Sequence, residues 1–119
     1  MIIDIYDEFE ELCYLGNYDD IRNYIIQYEI NVNMFDGFLI SVISSHNDLD
    51  LFKLFIEYGA DISLDDYRCV KLIAYKGFYN LLLYILDAYE IPSDIFTKNT
   101  SFKNHDIIYK IICDKYNII

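Results

Sequence analysis

The chain has 119 residues, of which 55% are hydrophobic and 18% aromatic, so a domain with a sizeable core is expected and a disordered chain is excluded. One proline, four glycines and no Ser/Gly-rich stretch leave no flexible linker, which predicts a single domain over residues 1–119. A formal charge of −11 argues against direct binding of nucleic-acid phosphates or anionic membranes, because both require a basic surface.

The charge is unevenly distributed along the chain. Residues 1–66 contain 15 acidic and 2 basic residues, net −13, whereas residues 67–119 contain 5 acidic and 7 basic residues, net +2. An elongated molecule with this sequence would be strongly negative at one end. The asymmetry favours a protein partner with a basic surface, and a merely solvated acidic face is the alternative.

The N-terminal sequence MIIDIYDEFEELC has acidic residues where a signal peptide needs a basic stretch followed by apolar residues. No apolar run approaches the roughly 18 residues of a membrane span. The three cysteines, Cys13, Cys69 and Cys113, are odd in number and widely spaced, which suits buried, reduced thiols better than a disulfide framework. These features predict a cytoplasmic protein.

Comparison of the sequence with itself at an offset of 30 residues indicates three related copies, at about 4–33, 34–63 and 64–93. Each copy has the pattern of a short helix, a break, a second helix and a loop. Because helices of two or three turns are unstable alone, such hairpins must stack on one another. The aligned pairs include Asp36 with Asp66, Ile43 with Ile73, Leu51 with Leu81, and Asn17 with Asn47.

Local signals mark the helix ends within each copy. Asp48 and Asp50 precede or begin the second helix of the middle copy, where a carboxylate accepts hydrogen bonds from free amides. Gly16 and Gly77 follow first helices, and Gly59 follows a second helix, as expected of glycines that end a helix in the left-handed conformation.

Three segments together resemble ankyrin repeats: LFIEYGADIS at 54–63, VKLIAYKG at 70–77 and GNYD at 16–19. The first is similar to the family's end of the second helix with its G-A-D-V/I, and the others to its first helix and its inter-helix turn. The resemblance covers about three repeats. It implies an all-α, ankyrin-type solenoid of stacked helix-turn-helix repeats, with a degenerate C-terminal cap at 94–119.

The sequence also departs from the family pattern. The T-P-L-H opening of the repeat is absent, since the second copy reads Phe38-Leu39-Ile40-Ser41 and the third Arg68-Cys69-Val70-Lys71. A period of 30 is shorter than the family's usual 33, which implies an abbreviated finger loop. The short period and the richness in Ile, Tyr, Phe and Asn resemble the ankyrin arrays of giant DNA viruses, and a viral protein would act in the host cytoplasm.

The last segment is less regular than the three copies. HDIIYKIICDKY at 105–116 is predicted to form a helix of a fourth, degenerate repeat that closes the stack. Ile118 and Ile119 then either pack back on this cap or belong to an interface.

No pattern in the sequence predicts catalysis. His46 and His105 lie two copies apart, and no spacing of cysteines and histidines suits zinc. The acidic cluster at 7–11 lacks the Gly-bearing loop of an EF-hand, and no phosphate-binding glycine loop is present. We therefore expect no enzyme activity, no metal and no cofactor.

The resemblance implies that a partner contacts the finger loops and the exposed side of the first helices. We therefore predict a non-catalytic protein–protein interaction module, with a self-associating structural protein or an acidic DNA-mimic decoy as alternatives. Tyrosine suits such a surface because its ring buries area at low entropic cost. The predicted partner-binding residues, called the strip below, are Tyr14, Phe35, Asp36, Gly37, Ser45, His46, Asp65, Asp66, Tyr67, Tyr75 and Lys76.

Overall fold

The structure is a computed structural model that describes residues 4–97 and 106–117. These residues form helices and no strands, so the all-α prediction is confirmed. His105, Ile118 and Ile119, for which the sequence suggested a place in the cap or an interface, lie outside the described residues. The helices are α1 (Ile5–Leu15), α2 (Tyr18–Tyr28), α3 (Phe38–Ser44), α4 (Leu49–Glu57), α5 (Leu64–Lys76), α6 (Tyr79–Ala88), α7 (Asp94–Thr97) and α8 (Asp106–Tyr116).

The helices lie in two layers. In the first layer α1 packs on α3, α3 on α5 and α5 on α7; in the second layer α2 packs on α4 and α6 on α8. The rings of Phe52 in α4 and Tyr84 in α6 meet edge to face with centroids 6.3 Å apart, which continues the second layer. Helices α1, α3 and α5 also each pack on the second-layer helix that follows them in the chain. The molecule is therefore elongated, with extents of 56 × 23 × 22 Å.

The helix ends use the local chemistry that the sequence suggests. The carboxylate of Asp48 accepts the Leu51 N–H at 3.2 Å and begins α4, and the Asn17 side chain accepts the Asp20 N–H at 3.0 Å and begins α2. Gly16 and Gly77 end α1 and α5 with φ of 74° and 77°. A glycine without Cβ adopts this left-handed conformation at little cost.

Left-handed turns lie directly before α3 and within the first residues of α5. Residues 35–37 have φ of 66°, 55° and 87°, and residues 65–67 have φ of 54°, 56° and 59°. The two turns are 30 residues apart, and only one of the six residues, Gly37, is a glycine. Each non-glycine residue in this conformation costs about 1–2 kcal/mol, so packing of the neighbouring helices must hold the turns in place.

The core lies between the two layers and continues from copy to copy. Phe9 of α1 stacks on Phe55 of α4 with ring centroids 6.1 Å apart, and both side chains are fully buried. Cys13 and Cys69 are buried in this core, as predicted, and burial raises the pKa of each thiol to about 12. Among the described residues, no helix is both long enough and apolar enough to cross a membrane.

Candidate functional site

One row of the predicted strip runs across the C-terminal ends of the first-layer helices. Tyr14, Ser45 and Tyr75 each lie two residues before a left-handed residue, namely Gly16, Asn47 and Gly77. All three are exposed, with 56% of Tyr14 and 54% of Tyr75 accessible. Because α1, α3 and α5 pack in sequence, equivalent positions on them form a line on the surface.

The neighbouring positions of the strip differ from one another. Lys76 is exposed, whereas His46 is half-buried and its Nε2–H donates to the Cys13 carbonyl at 2.7 Å. The ring also lies so close to Gly16 that a Cβ there would be 2.8 Å from Cε1 of His46. His46 therefore joins α3 to the end of α1, and its first role is structural.

The first left-handed turn supplies three strip residues with different environments. Phe35 is 50% exposed, and its ring meets the ring of Tyr6 edge to face with centroids 5.9 Å apart. Asp36 is exposed, but Gly37 is buried and contributes no side chain. A Cβ on Gly37 would lie 2.9 Å from Cβ of Leu64, so glycine is required for contact with the next copy.

The second left-handed turn places its carboxylates beside cations of α5. Arg68 Nη1 lies 3.4 Å from Asp65 Oδ2, and Lys71 Nζ lies 2.8 Å from Asp66 Oδ2. Exposed ion pairs of this kind contribute about 0–1 kcal/mol each, but they reduce the negative charge that a partner meets. Tyr67, the third residue, is half-buried and packs against the core.

The residue types that could bind a metal do not cluster in the described part of the chain. No group of three or more His, Cys, Asp or Glu side chains is placed there to hold a metal ion. Asp61 has its pKa lowered because the Ser63 hydroxyl and the Ser63 N–H both donate to its carboxylate. This arrangement fixes the loop at residues 61–63.

A contact that the sequence did not predict joins the loops of the first two copies. The Asn33 side chain donates from Nδ2 to the Gly59 carbonyl at 3.0 Å and accepts the Asp61 N–H on Oδ1 at 2.8 Å. The alignment that pairs Asn33 with Ser63 was visible in the sequence, but nothing local indicated that Asn33 reaches 28 residues along the chain.

The corresponding junction between the loops of the second and third copies is open. A cleft of about 420 Å³ lies there, between residues 60–63 and residues 89–91. The ring of Tyr67 forms part of its wall, which connects the cleft to the strip. The Ser63 hydroxyl, at the position equivalent to Asn33, donates to Asp61 Oδ1 at 2.6 Å within its own loop.

Comparisons with protein-family models, with curated proteins and with solved structures find no match to this chain.

Proposed function

We propose that the chain is a non-catalytic protein–protein interaction module built as an ankyrin-type solenoid, and that it binds its partner through the strip. The observation that carries the proposal is the exposed row of Tyr14, Ser45 and Tyr75 at the C-terminal ends of successive first-layer helices. Two similar left-handed turns lie at the N-terminal ends of two of these helices. Large exposed aromatic side chains at equivalent positions suit an interface, because each buries much area on contact.

The two left-handed turns support the same proposal. Phe35 is a bulky residue in a conformation that costs about 1–2 kcal/mol, and half of it is exposed to solvent. Backbone strain of this kind is often found in binding loops. The turn holds Phe35 against Tyr6 at the edge of the first layer, where a partner lying on the strip would contact it.

The partner that fits best is a protein with a basic surface, since residues 1–66 have a net charge of −13. Asp65 and Asp66 already face Arg68 and Lys71, so the negative field comes mainly from the first copy. The resemblance to short-period repeats of giant DNA viruses makes a host protein of the cytoplasm the proposed target.

The test compares capture of proteins from cell extract by the wild type and by a variant with Tyr14→Ser, Phe35→Asn and Tyr75→Ser. Asn tolerates the left-handed conformation, so Phe35→Asn removes the ring and keeps the turn. We expect the variant to lose proteins that the wild type retains, by at least about tenfold, because interface aromatics commonly contribute 1 kcal/mol or more each.

The matched control carries three substitutions of similarly exposed residues on the second layer, Ile26→Ser, Tyr79→Ser and Leu83→Ser, which are 50%, 47% and 47% exposed. It should capture the same proteins as the wild type. Equal capture by the strip variant, with loss in the control, would place the interface on the second layer. Recovery of the chain alone would favour self-association, the competing hypothesis.

A further inference from the structure

The amide N–H at one equivalent position of each loop meets a different environment in the three copies. In the first copy the Asn31 N–H donates to the Tyr6 hydroxyl at 2.9 Å, and in the second the Asp61 N–H donates to Asn33 Oδ1 at 2.8 Å. In the third copy the equivalent residue is Ile91, whose N–H has no hydrogen-bond partner among the described residues. In the first two copies this N–H therefore donates to a side-chain oxygen, and in the third copy no such acceptor is present among the described residues.

Ile91 as a whole residue is only 5% accessible, and a donor that is buried without a partner is unfavourable. Its own carbonyl is occupied, because it accepts the Tyr116 hydroxyl at 2.7 Å. Ile91 is one of the residues that line the cleft of about 420 Å³ between residues 60–63 and 89–91. A group that entered this cleft with an oxygen acceptor would recover the cost.

The chain itself shows which chemical group fits such a junction. Asn33 fills the first junction with a carboxamide that accepts from the Asp61 N–H and donates to the Gly59 carbonyl. At an offset of 30 in the sequence these two backbone groups correspond to the Ile91 N–H and the Tyr89 carbonyl, and the backbone differs between them, with φ of 92° at Gly59 and −132° at Tyr89. Ser63 replaces Asn33, and its shorter side chain is bonded to Asp61 instead.

We propose that the cleft between residues 60–63 and 89–91 binds the carboxamide of an asparagine or glutamine side chain on the partner protein. The inference rests on the proposed function, because it names the chemistry by which a protein partner is recognised. A carboxylate would accept from the Ile91 N–H equally well, but it would also meet Asp61 and Glu90, which line the same cleft. A carboxamide avoids that repulsion and supplies a donor for the Tyr89 carbonyl.

The test is an NMR titration of the full chain with acetyl-Ala-Asn-Ala-methylamide, followed on backbone amide resonances. We expect the Ile91 amide signal to move progressively and to saturate. The Asn31 amide signal serves as an internal control and should not move, because its N–H is bonded to the Tyr6 hydroxyl and Asn31 does not line the cleft. The same peptide with Asp or Ala in place of Asn should move the Ile91 signal at least fivefold less at equal concentration, on the order of 1 kcal/mol in binding.

Two reciprocal substitutions test the internal comparison. Ser63→Asn should fill the cleft from within, abolish the response of Ile91 and raise the thermal midpoint. Asn33→Ser should open the first junction, lower the thermal midpoint and make the Asp61 amide signal respond to the Asn peptide. Both positions lie in loops, so we expect each variant to fold. The dispersion of its amide spectrum checks this expectation.

Three results would overturn the inference: no movement of the Ile91 signal in the wild type, equal movement with the Asp peptide, or unchanged movement in a folded Ser63→Asn variant. None of them depends on protein capture. If the strip variant loses its captured proteins while the Ile91 signal stays still, the proposed function survives and the carboxamide site is rejected. If the Ile91 signal responds as expected but the strip variant captures normally, the site stands and the strip is wrong.

Discussion

At the scale of single residues, two glycines with similar positive φ have different surroundings, so that replacing them should destabilise the fold to different extents. Gly37 and Gly59 have φ of 87° and 92°, so an alanine at either position pays the cost of the left-handed conformation, about 1–2 kcal/mol. A Cβ on Gly37 would also lie 2.9 Å from Cβ of Leu64, whereas a Cβ on Gly59 would meet nothing within 4 Å. The close approach at Gly37 joins the second copy to the third.

We therefore predict that Gly37→Ala lowers the free energy of unfolding by about 2–4 kcal/mol and Gly59→Ala by only about 1–2 kcal/mol, because overpacking adds to the strain at Gly37. Urea denaturation of the two variants measures the difference. Equal losses would mean that Leu64 moves aside freely and that the contact between copies is loose at this point.

At the scale of helices, the two aspartates at the start of α4, Asp48 and Asp50, stabilise the helix in different ways. Asp48 is the capping residue and accepts the Leu51 N–H at 3.2 Å, whereas Asp50 lies in the first turn and favours the helix only through its charge. We predict that Asp48→Ala lowers the free energy of unfolding by about 1 kcal/mol and Asp50→Ala by half of that or less.

Salt separates the two effects in the same denaturation experiment. The loss caused by Asp50→Ala should shrink at 1 M NaCl, since screening reduces the charge term, and that caused by Asp48→Ala should persist, at about 1 kcal/mol. A larger loss for Asp50→Ala would show that the cap bond contributes little to α4.

The same helices show which parts of the fold are predictable from sequence. Asp48, Gly16 and Gly77 mark helix ends by chemistry that acts within four residues, so the sequence alone predicts them. The turn at 65–67 could not be predicted, because Asp65, Asp66 and Tyr67 all disfavour the left-handed conformation when considered locally.

Long-range side-chain contacts likewise could not be predicted from the sequence. His46 was predicted as a strip residue, but its bond to the Cys13 carbonyl, 33 residues away, half-buries it. The carboxamide of Asn33 joins loops in the same manner, at a separation that periodicity does not report. The 30-residue offset identified which residues are equivalent, and the structure shows that equivalent residues, such as Asn33 and Ser63, have taken different partners.

At the scale of the whole molecule, three buried acidic protons lie in different helices of the stack. Burial raises the pKa of Cys13 in α1 and of Cys69 in α5 from 9.0 to about 12. It also raises the pKa of Tyr24 in α2 from 10.0 to about 12, assisted by the bond from its hydroxyl to Glu8. In each case the folded state holds the proton more tightly than the unfolded chain.

The sign of the pH dependence follows from this difference. Below pH 9 the three groups are protonated in both states, and their contribution to stability is complete. Between pH 9 and pH 12 the unfolded chain releases protons that the folded chain retains, so the free energy of unfolding falls as the pH rises. We predict a continuous loss of stability over this range, measured by urea denaturation at successive pH values.

The variant Tyr24→Phe separates the contribution of the Tyr24 hydroxyl to this loss of stability from that of the remaining groups. It removes the hydroxyl that lies 3.1 Å from Glu8 Oε2 and 3.2 Å from the Ile5 carbonyl, so it should cost about 1 kcal/mol at pH 7. Above pH 10 its loss of stability should be shallower than that of the wild type, since Tyr24 no longer contributes. Cys13 and Cys69 still contribute, as do Tyr89 and Tyr116, whose pKa values are also raised by burial. A free energy of unfolding that stays constant from pH 9 to pH 12 would mean that Cys13 and Cys69 ionise without unfolding. Because one thiol lies in α1 and the other in α5, such a result would contradict the packing of the core around both helices.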